Sequence, residues 1–510
     1  MPDVEKVNPA PDTRVVSVDV LKGLAIMLVI VAHVAEINFV PSQMWLYYNL
    51  YTFLDVFGPS MFVFLSSIGV VFSFKKRKSR YDEKKARNAM FQRALIILLM
   101  GFIPNIFINS AFGLLSFWLW FVLQFIAFSQ IITYYALKIP RMTRGILAFL
   151  IIFIITPNLF SYITGVNVTG AAASYTGGGM TAAGIDFRTM TPADLSNPYA
   201  LAFWLLFFRP YMTPIIPWIA VPLIASFIGE DLVKAQRIGT SEARRSFSKT
   251  IVFDGTIFTA IAIAFGSTIT SFDYGIGMID GINNQPYFQI SGLPEFLIMH
   301  SNINLLYDLG MGMILLGITY YLIDVRGTGA KGRISNFLNF YGRFSLSLFA
   351  FHLLVGGWFA NLLWLYPPTT GPNTPWFYYV PVLALYVLFV WWFLYFIIKK
   401  LVVKYNGIGT LEWIASTAGR GAKGAKAFFD NQIVYWKDRF LTISEKAKAL
   451  FKKPTDEPPL MNPVEMYMAD MLGEPVVEEP PETIKEREKR EKQRQKAEAE
   501  EADDDTFGVF

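Results

Sequence analysis

The sequence predicts an all-α polytopic membrane protein of about ten transmembrane helices, on three observations. Of its 510 residues, 53% are hydrophobic and 17% charged, whereas soluble domains carry about 25% charged residues. Uncharged runs recur, each near the roughly 20 residues that cover the hydrocarbon core. The loops between these runs alternate in charge.

Apolar runs and their punctuation place the spans near 18–39, 52–74, 94–111, 114–137, 145–164, 199–229, 251–270, 296–323, 344–364 and 377–398. The sixth is too long for one straight crossing. It carries Arg209, Pro210, Pro214, Pro217 and Pro222, which predict a broken helix whose freed backbone groups must face protein or a cavity. Segment 75–93 holds nine basic residues, and 138–144, 230–250 and 324–333 are basic too. The alternate segments 40–51, 165–198, 271–295 and 365–376 hold one, Arg188. By the positive-inside rule the basic loops and both termini are cytosolic, in a multi-pass protein of the cell membrane. An even span count agrees.

Composition narrows the chemistry. With no cysteine, disulfides, a cysteinyl acyl-enzyme and thiolate metal sites are excluded. Three histidines argue against a multi-histidine metal site, so no metal is expected. The first apolar run is too long for a signal-peptide core and lacks a small-residue cleavage site after it, so it is expected to stay as the first helix. Three regions follow. Residues 1–405 form the membrane domain, 406–453 a basic amphipathic segment suited to an anionic membrane surface, and 454–510 a charged tail. Seven prolines over 454–481 and the charge runs after them mark that tail as disordered.

Against this background the ionisable residues inside spans stand out, because each charged group costs about 2.5–3.5 kcal/mol at a helix centre on insertion scales. His33 lies in the outer half of the first span. Lys22 sits eleven residues earlier near the inner end, about 16 Å away at 1.5 Å per residue. Asp19 is three residues before Lys22, and Glu36 shares a helix face with His33. His300 opens the eighth span and His352 lies within the ninth. Arg209 is the one arginine within a span on the outer side, where it suits an anionic or carbonyl group; Asp55 and Asp308 are candidate partners for it or for a histidine. Each has a plainer reading. Buried histidines serve as interhelical glue, Lys22 can snorkel beside Asp19, and the 75–93 cluster sets topology. The outer segment 165–198 is long and glycine-rich, and Asn167-Val168-Thr169 fits a glycosylation sequon.

Five segments together resemble a known family. The opening Arg14, Ser17-Val18-Asp19-Val20-Leu21-Lys22-Gly23-Leu24-Ala25 and His33 resemble the first helix of the transmembrane acyltransferase superfamily. Its acyltransferase family 3 and heparan-α-glucosaminide N-acetyltransferase-like branches carry an "LDxLRG" entry followed by a histidine. Asp55 to Ser67 (DVFGPSMFVFLSS) is similar to that family's second helix, and Pro214 to Gly229 (PIIPWIAVPLIASFIG) to the "PWIG…LLG" segment of the N-acetyltransferase-like branch. Gly342 to His352 (GRFSLSLFAFH) resembles "GRxSLxIYxxH", and Gly409 to Trp413 (GTLEW) resembles the "GPLEW" of a related bacterial family. The matches run in order over about residues 1–415. Lys22 replaces the family's arginine, keeping the charge without the planar fork, and Ser67 stands where glycine is usual.

The resemblance implies an enzyme that moves an acyl group, acetyl first among candidates, from cytosolic acyl-CoA to an extracytoplasmic sugar, glycolipid or lipid-linked acceptor. No bound cofactor is implied, since acyl-CoA is the donor substrate. A thioester is already activated, so the protein must deprotonate the acceptor and stabilise the oxyanion. His33 is the candidate catalytic residue, as general base or as acyl relay. Asp19, Lys22, Glu36, Asp55, Arg209, His300, Asp308 and His352 are the candidate binding residues. Expected partners are membrane lipids, acyl-CoA and the acceptor, not nucleic acid, with a homo-oligomer left open. Two rival classes fit the same composition: a multi-pass transporter, for which the broken sixth span speaks, and a non-catalytic scaffold whose tail recruits partners.

Overall fold

The structure is a computed structural model. It describes residues 15–38, 55–79, 82–108, 122–164, 181–182, 185–186, 194, 196–206, 215–267, 269–270, 293–297, 301–327, 332–353, 355, 380–405, 407 and 410–418. By internal contacts the chain divides into Met1–Lys452 and Lys453–Phe510, and all described residues belong to the first unit. Arg209, His300, the sequon at 167–169, the 419–453 part of the amphipathic segment and the charged tail lie outside the described residues.

The described part is helical, apart from two two-residue antiparallel pairs, Thr181–Ala182 with Ile185–Asp186 and Ile269–Thr270 with Leu293–Pro294. Among the described residues, six helical segments are long and apolar enough to cross a membrane, which makes this a multi-pass membrane protein. The first five helices are α1 (Val16–Asn38), α2 (Pro59–Lys78), α3 (Glu83–Ile108), α4 (Val122–Ala136) and α5 (Arg141–Leu150). A π-turn, Ile151–Ile155, joins α5 to α6 (Thr156–Thr164). The π-turn frees the Ile152 carbonyl, and Asn302 Nδ2 donates to it at 2.8 Å.

The expected break in the sixth span is observed. Three helices, α7 (Pro198–Leu206), α8 (Ile215–Trp218) and α9 (Ala220–Ile238), cover it. Ile216 is non-helical and its bond to Pro217 is cis. Next come α10 (Ser241–Gly266), α11 (Asn302–Tyr320) with a terminal π-turn Tyr321–Val325, α12 (Arg333–Arg343), α13 (Ser345–Leu353), α14 (Val380–Tyr405) and α15 (Leu411–Ala418). Packed helix therefore continues past the expected boundary at 405, because α15 rests on α3 and α13.

The basic loops are shorter than the sequence predicts. Helix α2 runs to Lys78 and α3 starts at Glu83, so most of 75–93 is helical. Likewise α9 ends at Gly239 in a left-handed conformation (φ 75°), and α10 starts one residue later behind the Thr240 cap, whose side chain accepts from Ala243 N at 3.2 Å. Lysine, arginine and glutamate are good helix formers, so hydrogen bonding carries the helices beyond the apolar run that marks the span.

Two crossings fix the bundle. Helices α10 and α11 meet along Gly255, Gly310 and Gly317, where an added Cβ would collide with Gly310 O, the Thr259 side chain and the Val252 side chain respectively. Helices α1 and α12 meet at Gly23 and Gly342, whose added Cβ atoms would overlap the backbone of Leu338 and Asp19. Small residues let helix backbones approach closely where lipid supplies no hydrophobic drive. Asp324, in the π-turn ending α11, accepts from Val16 N (3.1 Å) and Ser17 N (3.0 Å) and so caps α1.

Candidate functional site

The α1–α12 crossing brings the first and fourth quoted motifs together. Gly23 follows Lys22 and Gly342 precedes Arg343, so backbone contact at the two glycines sets both cations on one wall. Lys22 Nζ extends along α2, 3.4 Å from where a Cβ on Gly69 would lie.

That wall bounds a cavity of about 580 Å³ between α1, α2, α3, α4, α9, α12, α13 and α15. Among the described residues its charged lining is six cations, Lys22, Lys75, Lys76, Arg93, Arg237 and Arg343, against two carboxylates, Asp19 and Glu412. Gln130, Gln236, Ser66 and Ser73 add neutral polar groups, and Phe62 and Phe349 are among the apolar lining residues. Low-dielectric walls with one predominant sign of charge concentrate a ligand of the opposite sign. The cavity suits a polyanion with an apolar extension.

Ion pairs brace the helix ends around it. Glu230 of α9 accepts from Arg144 (2.6 Å) and Lys75 (3.3 Å), and Asp231 from Arg141 (2.5 Å). Glu83 takes Lys78 (2.8 Å) and Lys138 (3.2 Å). The Lys78 hydrogen bond, then that of Lys138, holds the Glu83 carboxyl down at about 2.

Behind Phe349 lie two imidazoles. The His352 ring is 5.2 Å from the Phe349 ring and 5.2 Å from the His33 ring, centroid to centroid. His352 is 1% exposed and His33 half-buried. Nδ1 of His352 lies 2.6 Å from the Phe349 carbonyl oxygen. A carbonyl can only accept, so Nδ1 carries the proton and Nε2 presents its lone pair. That Nε2 is buried and has no hydrogen-bond partner among the described residues. The histidines are not part of the cavity lining itself; Phe349, which is, touches one of them.

Other predicted site residues sort by level. Asp19 and Lys22 line the cavity. Asp308 is buried on α11 and accepts from Ser60 Oγ at 3.0 Å. Ser60 opens α2, nine residues from Gly69 and so about 14 Å along the helix. Asp308 therefore sits near the level of His33, away from Lys22. The Asp55–Phe57 turn packs on α1 and α11 at that same end. Glu36 and Asp55 are placed only as backbone; Arg209 and His300 fall outside the described residues.

Sequence reasoning missed Arg237, Gln130, Gln236 and the role of Glu412. It read Arg343 as an ordinary interfacial cation, and Lys75, Lys76 and Arg93 of the 75–93 cluster chiefly as topology determinants, with contact to CoA phosphates as the alternative. Each is unremarkable alone, since basic residues are common at cytosolic helix ends. The available signal was the repetition of cations at or beyond the ends of several predicted spans.

Residues 14–258 match the family model described as heparan-alpha-glucosaminide N-acetyltransferase, catalytic. No curated protein matches the chain.

Proposed function

We propose, from the match of residues 14–258 to that acetyltransferase family model, that the protein moves an acetyl group from cytosolic acetyl-CoA to a saccharide acceptor presented on the extracytoplasmic side. One observation carries the reading: a cation-rich cavity is lined in part by Phe349, which touches buried His352, and that ring lies beside half-buried His33.

Coenzyme A is a polyphosphate with an apolar, amide-bearing arm ending in sulfur. Its phosphates fit the Lys22, Lys75, Lys76, Arg93, Arg237 and Arg343 side, where lysines act as point charges and arginines add planar forks. The arm then runs past Phe62 and Phe349 towards His33 and His352. There the acceptor nitrogen or oxygen bonds to the acyl carbon, the carbon–sulfur bond breaks, and the acceptor's proton passes to the imidazole pair and on to the departing thiolate. The His352 Nε2 lone pair, without a hydrogen-bond partner among the described residues, supports its taking that proton, and His33 is the more exposed of the two. Asp308 and the Asp55 turn lie at the acceptor's end.

Transfer of label from acetyl-CoA to an amino sugar by protein reconstituted in vesicles tests this. General-base removal costs about 10²–10⁴-fold, so His33→Ala and His352→Ala should each lower transfer by at least 10²-fold while CoA binding persists. Wild-type transfer by the double variant would refute the assignment. Solute uptake without any donor would favour transport instead.

A further inference from the structure

Glu412 is the acidic residue of the GTLEW segment, and nothing in the reaction above uses it. It faces a cavity rich in cations, yet its oxygens go elsewhere. Oε1 accepts from Leu346 N (2.7 Å) and Ser347 N (3.1 Å), and Oε2 accepts from Ser347 Oγ. These donors belong to the first turn of α13, whose leading N–H groups have no partner within the helix. Ser347 Oγ in turn accepts from Leu411 N at 2.8 Å, and Thr410 Oγ1 caps α15 by accepting from Trp413 N at 3.2 Å. The starts of α13 and α15 are thus clasped to each other across 65 residues of chain. Burial is the main influence on the Glu412 carboxyl and pushes its pKa upward, while the bonds from Ser347 and Leu346 oppose it.

Helix α13 is short, nine residues, and carries Phe349 at its middle and His352 near its end. Its start is therefore what sets the height and rotation of the His352 ring. We propose that Glu412 is a positioning residue: by clamping the first turn of α13 it sets His352, and Phe349 with it, against His33 of α1. This rests on the acetyltransfer reading above. A carboxylate suits the task because it accepts several hydrogen bonds at once and complements the positive end of the helix dipole.

The test uses the full chain in vesicles, with acetyl-CoA as donor and CoA as the binding probe. Misplacing a catalytic group by about 1 Å can cost 10²-fold, so Glu412→Ala should lower kcat about 10- to 100-fold. The KM for acetyl-CoA and the affinity for CoA should stay within about threefold. Glu412→Gln keeps an acceptor oxygen and should restore most of kcat. A raised donor KM with kcat intact would overturn the proposal by making Glu412 a donor contact; so would a Gln variant as slow as the Ala variant. If Glu412→Ala does not fold, Ser347→Ala is read by the same kcat-against-KM split. Should His352→Ala abolish transfer while Glu412→Ala is neutral, only the positioning role falls; a neutral His352→Ala removes both.

Discussion

Glu295 shows what burial does to a single carboxyl at the edge of the bundle. It sits in the 3₁₀ turn Glu295–Leu297 that leads into α11, 2% exposed, with Oε1 lacking a hydrogen-bond partner among the described residues. Burial raises its pKa to about 7. Between the unfolded value near 4.5 and about 7 the folded protein holds the proton that the unfolded chain has lost. Stability contributed here is therefore full below about 4.5 and falls as pH rises, by about 3 kcal/mol once above 7. Glu295→Gln should flatten the dependence of melting temperature on pH between 5 and 8, most visibly by raising it at pH 8; an unchanged slope would assign the dependence elsewhere. Glu83 is the opposite case, its carboxyl held down to about 2 by Lys78 and Lys138. Its contribution is present above about 4.5 and lost only as pH falls towards 2, and being exposed it is weakened by salt.

At the scale of elements, the two glycine-mediated crossings explain why segments far apart in sequence form one site. Helices α1 and α12 are separated by some 300 residues, yet Gly23 and Gly342 let them touch through backbone, which aligns Lys22 with Arg343. An added methyl at Gly342 would meet the backbone of Asp19 rather than a movable side chain. Overpacking costs about 1–3 kcal/mol and more where backbone must shift. We expect Gly342→Ala to lower the melting temperature in detergent and to weaken CoA binding with it. Gly145→Ala is the control, since nothing lies within 4 Å of its added Cβ; it should melt like wild type. Equal behaviour of the two would mean that the crossing is not tightly packed.

For the whole molecule, the cationic helix ends gather on one side, joined by the Glu83, Glu230 and Asp231 ion pairs. We propose that this side faces the cytosol, as the positive-inside rule implies, and that the donor enters there. The chain has no cysteine, so a single cysteine at the exposed Ser79 gives a clean readout. In sealed vesicles an impermeant maleimide should label Ser79→Cys from the cytosolic face alone; labelling from the other face would invert the topology and the direction of transfer. The KM for acetyl-CoA should rise with ionic strength as the cations lining the cavity are screened.

The all-helical membrane architecture, the broken sixth span and the similarity to the N-acetyltransferase family model were legible in the sequence, because hydropathy, proline and motif order are properties of short stretches of chain. His33 and Lys22 were singled out that way too, as costly residues in an apolar run. Tertiary structure decided what no local pattern records: that His352 meets His33, that six scattered cations line one cavity, and that Glu412 clamps the helix carrying His352. Those relations join residues from separate spans. They exist only once glycine crossings and buried hydrogen bonds have fixed how the helices pack, and in lipid that depends on shape and polar pairing rather than on hydrophobicity.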